Sequence, residues 1–194
     1  MTLSRHPTLE EFLQWPEEKP YREFIHGEVR QKTMGNFAHS FLQASLASRL
    51  DQWSGTRGWV MTEQRCILEA AGDSHVVLPD VAWWRMERLP SPPHGAIALS
   101  PDLAVEVLSP DDRFREVHDK VMVYLGAGVK VVWVVDPPGR QVTVYGPGLA
   151  PDAVKPPAAL RDAYLPGLEI SLADLFPRLP AKATLQPPVQ DVTE

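Results

Sequence analysis

At 194 residues and 21.6 kDa, with 44% hydrophobic and 23% charged residues, the chain has enough material for one domain with a sizeable core, which excludes wholesale disorder and a membrane-embedded class. A formal charge of −6 and a pI near 5.5 exclude a protein that coats nucleic acid through its overall field, and leave only a local basic face for such a partner. One cysteine, Cys66, rules out an internal disulfide, no Cys/His grouping has zinc-like spacing, and neither a secretory h-region nor a bilayer-length apolar run occurs, so a cytoplasmic location is expected.

Thr8 followed by Glu11 is a capping-box pattern, and Leu9, Phe12 and Leu13 give a short helix an apolar face before Pro16. Two β-prone runs in YREFIHGEVRQKT flank His26-Gly27, which predicts a hairpin with Glu23 and Glu28 on either side of its turn. From Asn36, a candidate N-cap, to Trp53, the residues Phe37, Phe41, Leu42, Leu46, Leu50 and Trp53 recur at helical steps, with His39 in the first turn. A strand GWVMTEQRCILEA, a turn at Ala71 to Asp73 and a returning strand SHVVLPDVAWWRM predict a second, longer hairpin that carries Asp80. Prolines 90, 92, 93 and 101 make the next stretch a loop, and PDLAVEVLSP is a strand bearing Glu106.

Ser109, Asp111 and Asp112 are candidate caps for a second long helix with Phe114, Val117, Val121, Tyr124 and Leu125 on its apolar face, ended by Gly126 and Gly128. VKVVWVVD has the look of a central strand, and QVTVY alternates like one nearer the edge. Strand, helix and strand in succession make a right-handed βαβ crossover, so the sheet is mixed. YLPGLEISLADLF predicts a short strand and a last helical turn. A domain over 1–180 and a disordered tail over 181–194 are expected, since few apolar residues in that tail offset its ordering entropy.

Asp80 and Glu106 each place a carboxylate in an apolar run where burial calls for a hydrophobe. At ~4 Å and an effective dielectric near 20, two like charges repel by about 4 kcal/mol, so two such acids converging on one spot require a cation or a proton between them. Oxygen-only ligands point to Mg²⁺ or Mn²⁺ rather than zinc. Against this stands the simpler account in which Asp80 opens a turn after Pro79 and Glu106 faces solvent. The segment Val105–Pro110 is not a phosphate loop, and Ser109 lacks a GxSxG setting.

PDV at Pro79 to Val81, VEVLSPDDR at Val105 to Arg113, Lys120 and Tyr124 in K-x-x-x-Y, and GVKVVWVVDP at Gly128 to Pro137 resemble the bacterial Uma-two family of restriction-endonuclease-like proteins, within the PD-(D/E)XK nuclease superfamily. FIHGEV and LPGLEISLADLF extend the resemblance over roughly residues 8 to 178. It implies an α/β (α+β) fold, a mixed sheet flanked by helices in a single domain, and a phosphodiester hydrolase whose Asp80, Glu106 and Val107 carbonyl bind Mg²⁺. The superfamily places a lysine two residues after the glutamate, where this chain has Leu108, and Lys120 stands where family members carry a lysine on the following helix. Lys120 and Tyr124 lie one turn apart on one face, although Lys120 could equally pair with Glu116 on the surface. Glu28 or Glu23 would add an early carboxylate, and Arg85, Arg88, Arg113, Arg115 and Lys130 are candidate phosphate contacts.

The expectation is therefore a Mg²⁺-dependent endonuclease acting on DNA, with a homodimer favoured if both strands are cut. Its alternative is a catalytically inactive member that keeps the fold and binds nucleic acid or a protein partner. A third class, a small-molecule or carbohydrate binder built on Trp83-Trp84, is weakened because adjacent strand residues face opposite ways.

Overall fold

The computed structural model describes residues 6–176, so the tail expected at 181–194 lies outside them. Thr8 opens α1 (Leu9–Leu13) with a complete capping box: its hydroxyl accepts from the Glu11 N–H at 3.2 Å and the Glu11 carboxylate accepts from the Thr8 N–H at 2.8 Å. The first hairpin, β1 (Arg22–Ile25) and β2 (Glu28–Gln31), turns at His26 and Gly27, whose φ values of 52° and 75° give the two left-handed residues of a type I′ turn. Helix α2 (Phe37–Ser54) starts at Asn36, whose side chain accepts from the His39 N–H at 3.0 Å. Phe37 does not join the apolar face expected for it and is 70% exposed.

The long second hairpin differs from expectation. It is two hairpins in line, β3 (Gly58–Thr62) with β6 (Val81–Arg85) and β4 (Cys66–Ala70) with β5 (Asp73–Val77), and the pairs belong to different sheets. Both strands break at the same level, one at Glu63 with its positive φ of 51°, the other at Pro79, which has no N–H to offer a ladder. Asp80 sits in that break, one residue ahead of β6, rather than inside a strand.

Next comes β7 (Leu103–Val107), buried throughout, then α3 (Phe114–Gly126), β8 (Val131–Asp136) and β9 (Gln141–Tyr145). The β7–α3–β8 crossover gives the parallel pair that the sequence predicted. None of Ser109, Asp111 and Asp112 caps α3: Arg113 holds the cap position without a side-chain bond, and Asp112 instead takes the Ser109 N–H at 2.7 Å. Beyond β9, the unforeseen β10 (Asp152–Val154) forms the edge, β11 (Ala159–Leu160) pairs with β12 (Ile170–Ser171), and α4 (Leu172–Leu175) ends the described chain.

Besides the small β11–β12 pair, two larger sheets result, β10-β9-β8-β7-β6-β3 and β2-β1-β5-β4. Alternation along β6 and β7 divides the core. Val81, Trp83, Leu103, Val105 and Val107 face one apolar cluster with Leu42, Leu46 and Leu50 of α2. Ala82, Trp84 and Ala104 face a second cluster with Val121, Val123 and Tyr124 of α3 and with Ile25, Cys66 and Leu68 of the smaller sheet. Trp83 and Trp84 thus serve opposite cores: Trp83 donates to the Ser54 hydroxyl at 2.8 Å and Trp84 to the Leu99 carbonyl at 3.0 Å, and neither is available to a binding pocket.

Candidate active site

The site forms where the broken hairpin passes from one sheet to the other. In the antiparallel β6–β7 register, Val81 faces Val105 and Ala82 faces Ala104; one step further sets Asp80 opposite Glu106. Both acids then share the face that Ala82 and Ala104 turn to α3, and they line one cavity of about 50 Å³ with Glu23, Lys32, His39, Val107 and Lys120. Glu23 arrives because β1 alternates: Phe24 packs with Phe12 of α1, so Glu23 and Ile25 point the other way.

Each carboxylate is held by name. Asp80 Oδ2 accepts from the Val107 N–H at 2.6 Å and lies 3.2 Å from His39 Nε2, while Lys32 Nζ stands 2.6 Å from Oδ1. Glu106 Oε1 accepts from the Tyr124 hydroxyl at 2.6 Å and lies 2.8 Å from Lys120 Nζ, which is also 2.8 Å from Glu23 Oε1. Glu23 in turn accepts from the Leu78 N–H at 2.8 Å. Three carboxylates therefore face two ammonium groups and one imidazole, all buried except Lys32, whose side chain keeps 11% of its exposure. This balance is what lets the cluster exist, because an unpaired ion costs several kcal/mol to bury.

The balance sets the protonation states. Burial alone drives the Asp80 carboxyl upward, but the Lys32 ammonium and the hydrogen bond and charge of His39 outweigh it, and the group titrates well below the usual range. For Glu106 burial wins over Lys120 and Lys32, and its pKa is raised. Burial depresses Lys120, and the Glu106 and Glu23 charges more than reverse that, so the amine stays protonated. Burial first, then the neighbouring Glu106 charge, keeps Tyr124 a neutral phenol able to donate.

The donor set suits a small hard cation. It consists of the Asp80, Glu106 and Glu23 carboxylates, and Val107 lines the same cavity. Asp80 Oδ1 is buried yet receives no well-directed hydrogen bond; Lys32 Nζ, 2.6 Å from it, donates to the Leu78 carbonyl at 2.6 Å. Among the described residues no three His, Cys, Asp or Glu side chains are grouped tightly enough to hold an ion alone.

The sequence profile of the Uma2 family, described as "Putative restriction endonuclease", matches residues 9–173. The chain belongs to this family. A crystal structure from Anabaena variabilis ATCC 29413, described as a "putative nuclease belonging to DUF820", is similar at a TM-score of 0.80 with 28% identity, over 88% of this chain and 98% of that one. No curated protein matches the chain. The fold and family set this Uma2 protein among the nuclease-like proteins. Among the described residues no helix is long and apolar enough to cross a membrane.

Of the residues singled out in sequence, Asp80, Glu106, Val107, Lys120 and Tyr124 come together and Glu28 does not. Glu28 ends the first hairpin's turn with a side chain 60% exposed, 3.5 Å from Arg30, and Glu23, five residues earlier and buried, is the early carboxylate of the cluster. Lys120 pairs inward with Glu106 and Glu23 rather than with Glu116, whose neighbour is Arg113 at 3.6 Å. Arg85 and Arg88 are taken up by Asp102 at 3.5 and 3.0 Å, and of the five basic candidates only Arg113 lines the cavity. Lys32 was missed: it follows an ordinary edge strand, and only the excess of buried acids signals that a second cation is needed.

Proposed function

We propose that this protein is a divalent-metal-dependent nuclease that hydrolyses DNA phosphodiester bonds. The observation that carries the proposal is the meeting of Asp80, Glu106 and Lys120 in a single buried cavity, drawn from three separate elements. Asp80, Glu106 and the Val107 carbonyl would hold Mg²⁺ or Mn²⁺, and the bound ion would lower the pKa of a water and stabilise charge on the scissile phosphate.

The chain's own groups divide the remaining work. The Val107 N–H and His39 fix Asp80 in one orientation, and the Tyr124 hydroxyl does the same for Glu106. Lys120, a protonated amine already turned into the cavity, orients a water or offsets developing negative charge, the task Leu108 cannot perform. A cavity of about 50 Å³ is a few times the ~10–15 Å³ that one water centre needs, room for an ion and a phosphate oxygen but not for a base.

The test is cleavage of duplex, nicked and single-stranded DNA with Mg²⁺ or Mn²⁺, alongside calorimetric titration of each ion. Asp80→Ala and Glu106→Ala should each abolish cutting and ion binding; cutting that survives both disproves the site. Ion binding absent from the wild type as well would favour the inactive, binding-only reading that Leu108 motivates. Cutting both strands at one position asks for two sites, so sedimentation should then show a homodimer.

A further inference from the structure

Beside the charged cavity lies a second one of about 230 Å³, between the start of α3 and strands β8 and β9, and Leu108, Asp112 and Val117 line both. Its chemistry is different. Its lining is partly aromatic: Phe114 is 82% exposed and stacks with His118 one turn on at a centroid distance of 6.3 Å and 30° between planes, and Tyr145 lines the same cavity. Its floor is polar and uncharged in part, with Gln141 and Thr143 from β9 and the Ser109 hydroxyl, which is 7% exposed and has no hydrogen-bond partner among the described residues.

These features are costly unless something fills the space. Phe114 forgoes the stabilisation that burying its ring would contribute, and a buried hydroxyl without a partner carries its desolvation penalty unrelieved. The volume falls below the roughly 300–1,000 Å³ of sites for whole drug-sized ligands, and suits one planar heterocycle. Of the two carboxylates here, Asp112 is occupied by the Thr33 hydroxyl at 2.5 Å and the Ser109 N–H, and Asp136 gives one oxygen to the Gly139 N–H at 3.0 Å. The second Asp136 oxygen also lies against Gly139, so this carboxylate belongs to the turn after β8.

We propose that this second cavity is a nucleobase pocket, which takes one unstacked base of a strand whose phosphate lies in the Asp80–Glu106 cavity. The proposal rests on the nuclease reading for the position of the phosphate. Leu108, Asp112 and Val117 are walls of both cavities, the aromatic residues stack the base, and the polar residues meet its edge. Gln141 pairs with adenine in the way amide side chains do, so adenine is preferred over thymine. The substrate class is accordingly single-stranded or locally opened DNA.

The experiment titrates the full chain into short single-stranded DNA carrying 2-aminopurine, an adenine analogue whose fluorescence is quenched on stacking. EDTA is present throughout, so catalysis plays no part. Quenching is expected with the wild type, and Phe114→Ala, which removes an exposed ring and leaves the core intact, should weaken binding roughly 5- to 150-fold, the equivalent of ~1–3 kcal/mol of base stacking. Gln141→Ala should narrow the preference for adenine over thymine while leaving quenching in place. No quenching with the wild type, or equal affinity in Phe114→Ala, overturns the pocket and leaves the metal site standing. Quenching without any DNA cleavage in Mg²⁺ or Mn²⁺ supports the pocket and sinks the catalytic proposal.

Discussion

Removing the Lys120 amine is the most direct test of the buried charge cluster. Lys120 Nζ lies 2.8 Å from both Glu106 and Glu23. At an effective dielectric near 20, each contact is worth about 6 kcal/mol of gross attraction, set against several kcal/mol of desolvation for each of the three ions. The net value of the triad is therefore small, but taking away the cation alone leaves two carboxylates buried without their shared partner. Lys120→Met keeps the length of the side chain and should cost about 3–5 kcal/mol. Adding Glu106→Gln removes one of the stranded charges, and that double variant should regain a large part of the loss. Urea unfolding at pH 7 with an unchanged m-value measures both. A single variant that loses under about 1 kcal/mol, or a double variant no more stable than the single, would show that the charges do not depend on one another as their geometry implies.

Glu23→Ala should destabilise by roughly 3 kcal/mol or more, since it strips Lys120 and the Leu78 N–H at once, whereas Glu28→Ala should stay within about 0.5 kcal/mol and leave cleavage unchanged; equal effects in urea melts would contradict the assignment of the early acid. Gly58→Ala drives a methyl into the Trp84 carbonyl and the Trp83 indole, for a loss of about 1–3 kcal/mol in thermal unfolding; a neutral result would mean that β3 can shift away from β6. His75 is fully buried, its Nδ1 accepts from the His26 N–H, and burial lowers its pKa below the ordinary histidine value. The unfolded chain then takes up a proton that the folded one refuses, so this contribution is intact above about pH 7 and is lost as pH falls through ~6.5, with a slope of at most about 1.4 kcal/mol per pH unit. His75→Gln should flatten that limb of the urea-midpoint profile, and identical profiles would refute the assignment.

What the sequence made legible is what local patterns specify. The capping box at Thr8, the helices beginning at Asn36 and after Arg113, and the apolar run at Val131 all declare themselves through spacing within one element. The split of the long hairpin did not, because sheet membership is decided by pairing between distant strands; Pro79 was the one local hint. Phe37 and Phe114 fit their helical periods and yet face solvent, which periodicity cannot reveal at the first helical residue, where the neighbouring turn is absent. Glu23 and Glu28 are indistinguishable by type and spacing. Only the strand's choice of face, fixed by Phe24 packing on Phe12, separates them.

The same logic bears on the nuclease proposal, in which Lys120 on α3 does the work that Leu108 on the strand cannot. Glu106 and Leu108 share parity on β7, and Leu108, past the strand's end, packs at the margin of the α3-side cluster and gives the acid cavity an apolar wall in place of an amine. The parallel β7–β8 pair requires a crossover, and a right-handed crossover brings its helix back over one face of the sheet. Glu106 points to that face, together with Ala104, so an amine one turn before Tyr124 meets the carboxylate that an amine two residues along the strand would have met. The requirement is thus on where a cation stands relative to Glu106. Leu108→Lys combined with Lys120→Met tests that statement: ion-dependent cleavage should return in the double variant if position alone matters, and its absence alongside normal ion binding would show that the helix supplies something more, the pairing of Lys120 with Glu23.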